Sequence, residues 1–100
     1  MDLIHAQQGE YLVVTVNAAR IDASAALEFK DSMNAIDESN SKILLNLEQV
    51  EFIDSSGLGA VVSVMKHLGK GRKMDLCALT PTVEKVFRLT RMDSIFSIYA

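Results

Sequence analysis

The sequence predicts an α/β fold: a central mixed, mostly parallel sheet of about four or five strands, opened by an N-terminal hairpin and covered by about three or four helices. Three observations carry this expectation. Apolar residues change period along the chain, from alternation to three- and four-residue spacing and back, in strand, helix, strand order. The breaks between these stretches are only a few residues long, as compact α/β units require. Finally, 100 residues with 49% hydrophobic and 23% charged side chains have the size and composition of one globular domain, so residues 1–100 are expected to form one domain with one core.

The elements follow in order. "LIHAQQGEYLVVTVN" reads as two strands joined at Gln8-Gly9, with Tyr11 and Val13 alternating against Leu12, Val14 and Val16. From Asp22, a candidate cap, the period changes. Ala26, Phe29, Met33 and Ile36 share a face while Glu28, Lys30 and Asp31 point elsewhere, which predicts a first helix from about Ala23 to Glu38. After the polar break "ESNSK", the short apolar run "ILLNL" followed by "EQVEFI" suits a central strand covered on both faces. Leu58, Val61, Val62, Met65 and Leu68 repeat at helical spacing, and "GKGRK" stops that second helix before the strand "MDLCAL". Pro81 is placed to begin a third helix after Thr80, with Val83, Val86 and Phe87 inward. "SIFSIY" then supplies a short edge strand or docking segment.

Composition excludes several functions. A net charge of −3 with scattered signs argues against nucleic acid, which needs clustered cations that release counterions. The basic group Lys66, Lys70, Arg72 and Lys73 reads as a solvated helix end and turn rather than an anion site. Cys77 is alone, so an intrachain disulfide or a cysteine metal cage is excluded, and its apolar setting suggests a buried structural thiol. No basic segment followed by a long apolar one opens the chain, and no apolar run reaches the roughly 18 residues of a membrane span, so a cytoplasmic protein without a membrane partner is expected.

The chemistry-bearing stretch is "IDSSGLGAVVSV", residues 53–64, at the carboxyl end of a strand segment and the start of the second helix, where α/β folds place sites. Asp54 or Ser55 can accept a hydrogen bond from an unpaired amide of the first turn, which stabilises by about 0.5 to 2 kcal/mol. Capping leaves Gly57 and Gly59 unexplained, since glycine in a helix interior costs about 1 kcal/mol against alanine, and their presence suggests that something needs access to the backbone there. Ser55 and Ser56 lie beside unpaired N–H groups and the positive end of the helix dipole, a position that accepts a phosphate. Enzyme readings fail on spacing. Neither serine has the glycine two positions earlier that a nucleophile elbow needs, and His5 and His67 read as surface histidines rather than a base. Gly69-Lys70 lacks the Ser or Thr of a phosphate loop, and "GLG" lacks the third glycine of a dinucleotide fingerprint. Asp22, Glu51 and Asp54 are too dispersed for a metal, and an aspartyl-phosphate receiver would need more strand-helix units.

From "LLNLEQVEFIDSSGLG" through "LTPTVEKVFRLTRMDSIF", the chain resembles the STAS domain of bacterial anti-sigma factor antagonists, most specifically in "FIDSSGLG" and the helix after it. The resemblance implies a small STAS-like sandwich and a non-enzymatic switch protein. It further implies binding to an anti-sigma factor that is a serine kinase of the histidine-kinase-like ATPase type, phosphorylation by that kinase on the serine after the motif's aspartate, and resetting by a PP2C-type phosphatase. By this match the phosphorylated residue is Ser55, with Ser56 as runner-up. Asp22, Asp54, Ser56, Gly57, Leu58 and Gly59 are the implied partner-binding positions. Ala19 departs from the family's usual glycine in the turn before Asp22. No metal or other cofactor is implied, and a monomer or weak dimer is expected. The alternative is a non-switching STAS subunit of a transport assembly, in which the serine motif is only a cap. The same switch chemistry also serves an output other than a sigma factor, such as secretion, biofilm or polysaccharide control.

Overall fold

A computed structural model describes residues 1–100. Leu3–Gln8 (β1) and Tyr11–Val16 (β2) form the expected antiparallel hairpin, with Leu3 opposite Val16. Its turn needs a left-handed residue, and Gly9 supplies φ +58° without a Cβ to strain. The chain continues through Arg20–Ile21 (β3), Ala26–Asn34 (α1), Lys42–Asn46 (β4), Phe52–Ile53 (β5) and Ser55–His67 (α2). Lys73–Cys77 (β6), Pro81–Leu89 (α3), a 3₁₀ turn at Met92–Ser94 and Ile98–Tyr99 (β7) complete it. The main sheet has the order β1-β2-β4-β6-β7, parallel throughout except for the opening hairpin, and β3 and β5 form a separate parallel ribbon.

Partners in register share a face of a sheet, so the pairing decides where the core lies. Leu12, Ile43 and Met74 make one row and Val14, Leu45 and Leu76 the next, and all six are buried. The apolar stripes of all three helices close over this face: Phe29 and Met33 from α1, Leu58, Val61 and Val64 from α2, Val83 and Phe87 from α3. Phe87 meets Phe96 edge to face, with centroids 6.0 Å apart, and so ties α3 to the segment before β7. Pro81 occupies the first turn of α3 as expected, and the Thr80 hydroxyl donates to Val50 O at 2.8 Å. Glycines stop α2: Gly69 and Gly71 take φ +76° and +80°.

Three expectations need correction. The first helix is shorter than Ala23 to Glu38, running only from Ala26 to Asn34, because Asp22 holds residues 23–25 in a preceding turn through Ala25 N–H. Ile36 is still buried, so its apolar spacing extends past the helix into the following turn. β4 has the helices on one face only, and its own residues on the other face are half-buried. Tyr11, Val13, Lys42, Leu44, Lys73 and Asp75 line that other face, and none of them belongs to the core cluster. This outer face satisfies its own polar groups: Tyr11 OH donates to Asp75 Oδ2 at 2.8 Å and Lys73 Nζ lies 3.3 Å from the same oxygen. Cys77 is on that face too and only half-buried; burial, then the charge of Glu48, pushes its thiol pKa up.

One-sided cover predicts that neighbouring leucines differ. Leu45→Ala should cost about 2 to 5 kcal/mol in urea unfolding, and Leu44→Ala, one residue away on the open face, less than about 1.5 kcal/mol.

Candidate functional site

The site is the junction of β5 and α2. Asp54 is the N-cap, in extended conformation, and its Oδ1 accepts from Gly57 N–H at 2.9 Å. Its second oxygen, Oδ2, accepts from Ala23 N–H at 3.0 Å. One carboxylate therefore caps the helix and fastens it to the connection between β3 and α1. The ribbon makes this possible, since Arg20 is in register with Phe52 and Ile21 with Ile53, which brings Asp22 beside Asp54. Ala19 O accepts from both Glu51 N–H (2.7 Å) and Phe52 N–H (3.1 Å) at the ribbon's start. Ala19 is not among the residues with positive φ, so alanine stands in this turn without strain.

The two glycines do different things. A Cβ on Gly57 would lie 1.8 Å from Ile21 O and 2.7 Å from Ile21 C, so only glycine lets α2 pack this closely on β3. Gly57 is buried, and its role is internal packing rather than the open backbone expected of it. Gly59 is exposed, and a Cβ there would meet nothing within 4 Å.

Ser55 and Ser56, the first two residues of α2, are both exposed. Gly57 N–H is taken by the Asp54 side chain and Leu58 N–H by Asp54 O at 2.8 Å, which leaves the amides of Ser55 and Ser56 unpaired within the chain. Asp22 lies alongside with its carboxylate fully engaged. Ser24 Oγ (2.7 Å) and Ala25 N–H (3.2 Å) donate to Oδ1 and Arg20 Nε (3.2 Å) to Oδ2. The Ser24 bond first, then Arg20, holds its carboxyl below the usual carboxylate pKa.

Asp22, Asp54, Ser55, Ser56 and Gly59 are thus brought together at or near the surface, while Gly57 and Leu58 shape that surface from beneath. Two neighbours were missed in the sequence. Phe52 is 37% exposed although aromatic, and the Arg20 guanidinium sits 4.3 Å from its ring centroid. With Ile53 inward, period-two alternation would have turned Phe52 outward, had the two-residue strand been recognised.

The other candidates lie elsewhere. His5 is on β1, and His67 ends α2 at the far end from Ser55. Lys66, Lys70, Arg72 and Lys73 line a cleft of about 450 Å³ at that far end, where Arg72 Nε donates to Asn40 O and Lys73 pairs with Asp75. No three His, Cys, Asp or Glu side chains are placed to hold a metal ion, and no helix is long and apolar enough to cross a membrane.

Fold and site together define a class: a small α/β domain whose one-sided sheet presents a capped, glycine-backed helix start to solvent. The chain belongs to the STAS domain family, whose sequence model matches residues 3–100. It is similar to BtrV of Bordetella bronchiseptica, a proposed anti-sigma factor antagonist, with 31% identity over 97 residues that cover 96% of this chain and 76% of that protein. Among solved structures it is similar to a proposed anti-sigma factor antagonist of Thermotoga maritima, with TM-score 0.82, 28% identity and coverage of 98% of this chain and 86% of that one. An anti-sigma factor antagonist of Mycobacterium paratuberculosis superposes with TM-score 0.83 and 25% identity over 98% of this chain and 84% of that one.

The glycine geometry makes a paired prediction. Gly57→Ala should destabilise by about 1 to 3 kcal/mol or more through overpacking, and Gly59→Ala should be neutral or stabilising by up to about 1 kcal/mol; urea titration of the two variants separates them.

Proposed function

We propose that this protein is an anti-sigma factor antagonist or an equivalent partner-switching regulator. Its unphosphorylated form binds an anti-sigma factor that is also a serine kinase of the histidine-kinase-like ATPase type. Phosphorylation of Ser55 releases that partner, and a PP2C-type phosphatase restores binding. The observation that carries this reading is the exposed Ser55 at the first position of a helix whose cap, Asp54, is committed to two backbone N–H groups. The names borne by the relatives point to the same class.

The physics of the position favours a switch of partners over a switch of fold. A phosphate on Ser55 adds about −1.5 to −2 charge. The unpaired Ser55 and Ser56 amides and the helix dipole are favourable to it, and the neighbouring carboxylates are held in place by donors, Asp54 by two backbone N–H groups and Asp22 by Ser24 and Arg20. A close, desolvated interface matched to a neutral hydroxyl has no such donors to spare, so the dianion opposes association. Gly59 supports an interface here as well. It carries the helix cost of glycine, about 1 kcal/mol, without any internal contact that needs it, and it keeps the surface next to the serines flat. Asp22, Asp54, Ser56 and Gly59 would then contact the partner, with Gly57 and Leu58 setting the shape below.

The test is binding to the organism's own kinase of this type, with phosphosite mapping after incubation with ATP. Ser55→Ala should bind like the unmodified protein and stay bound in ATP. Ser55→Asp should bind about 30-fold or more weakly, a difference of about 2 kcal/mol. Equal affinity for the three proteins, or label on neither Ser55 nor Ser56 with an active kinase, would refute the switch.

A further inference from the structure

The ribbon of β3 and β5, which leads into the Asp54-Ser55 junction, holds a cation whose outer edge is unfilled. Phe52 faces outward while Ile53, its neighbour, is 3% exposed. The Phe52 ring is stacked by the Arg20 guanidinium at 4.3 Å, and Arg20 Nε donates to Asp22 Oδ2 at 3.2 Å. Asp22 is itself immobilised by Ser24 Oγ and Ala25 N–H. One face and one edge of the guanidinium are therefore fixed. Its two terminal nitrogens make no hydrogen bond within the chain, and the side chain is 60% exposed. Backbone register places the stack, with Arg20 opposite Phe52 and Ile21 opposite Ile53, two residues before Asp54 and three before Ser55.

Arginine and aromatic side chains dominate the energetics of protein interfaces, and a guanidinium already stacked and anchored loses little freedom when its partner arrives. The free terminal N–H groups form the fork that matches a carboxylate in bidentate geometry. Phe52 is not part of the core cluster, so the stack is not explained by packing of the interior. We propose that Arg20, held over the Phe52 ring, is the specificity-determining anchor of the partner surface next to Ser55, and that it receives a carboxylate of the partner kinase. This rests on the partner-switching reading given above.

Calorimetric titration of the unphosphorylated protein with the same kinase tests it, using Arg20→Gln, Arg20→Lys and Phe52→Ala beside Ser55→Asp. Arg20→Gln should weaken binding about tenfold or more. Arg20→Lys should fall between, because it keeps the charge and loses the planar fork. Both should melt within about 2 °C of the parent, since the side chain is exposed. Phe52→Ala should also weaken binding; if it melts early, Phe52→Tyr, which keeps the stacking ring, should bind as the parent does. Binding of Arg20→Gln and Arg20→Lys within twofold of the parent, with Ser55→Asp still released, would overturn the anchor and leave the switch intact. A parent protein that does not bind the kinase would remove both. Weak binding by Arg20→Gln with no effect of Ser55→Asp would remove the switch and keep the anchor.

Discussion

The Asp54 carboxylate is the contact on which the site depends. One oxygen caps α2 at Gly57 N–H and the other holds Ala23 N–H, so a single side chain joins the helix start to a segment 31 residues earlier. The joint works only because Gly57 lets the first turn of α2 approach the Ile21 carbonyl, at a distance that any Cβ would block. Cap and glycine are one device. Remove the carboxylate and two backbone donors lose their acceptor; add a methyl at Gly57 and the helix is pushed off the ribbon.

This device also separates two properties of the neighbouring serines that would otherwise conflict. A serine that is to be modified must be reachable, yet the charge it acquires must not melt the element that carries it. Ser55 is reachable because it is the first helical residue, ahead of the buried Gly57 and Leu58. The carried charge is tolerable because amides, not carboxylates, are the unpaired groups nearby. The sheet beneath supplies rigidity: its covered face, built from Leu12, Val14, Ile43, Leu45, Met74 and Leu76, anchors α2 through Leu58, Val61 and Val64. The helix cap and the proposed phosphorylation position are thus the same feature seen from inside and outside the molecule.

Much of this was legible in the sequence where a pattern is local. The hairpin, α2, β6 and the Pro81 start of α3 are marked by strong periodicity and by turn residues such as Gly9, Gly69 and Gly71, and the STAS family follows from "FIDSSGLG" and its helix. The end points of α1 were not legible, because apolar spacing continues through Ile36 while the last i→i−4 hydrogen bond of the helix is the one Ala35 N–H donates to Asp31 O. Strands β3 and β5 have two residues each, too few for a period, and their pairing joins positions 32 apart, so the Arg20-Phe52 stack and the Ala23 partner of Asp54 appear only in three dimensions. The two glycines of "GLG" look alike in sequence; the Ile21 carbonyl is what distinguishes them. Cover on one face of β4 was likewise hidden, since Leu44 lies between two buried residues and reads as apolar as they do.

The proposed switch requires that this helix start carry a phosphate on Ser55 without yielding its structure. The most direct measurement is urea unfolding of protein carrying phosphoserine at position 55, together with amide chemical shifts of the folded form. Stability should stay within about 1 kcal/mol of the unmodified protein, with shift changes concentrated at Ala23 and at residues 54–58. A loss of several kcal/mol, or shifts spread through the sheet, would contradict it.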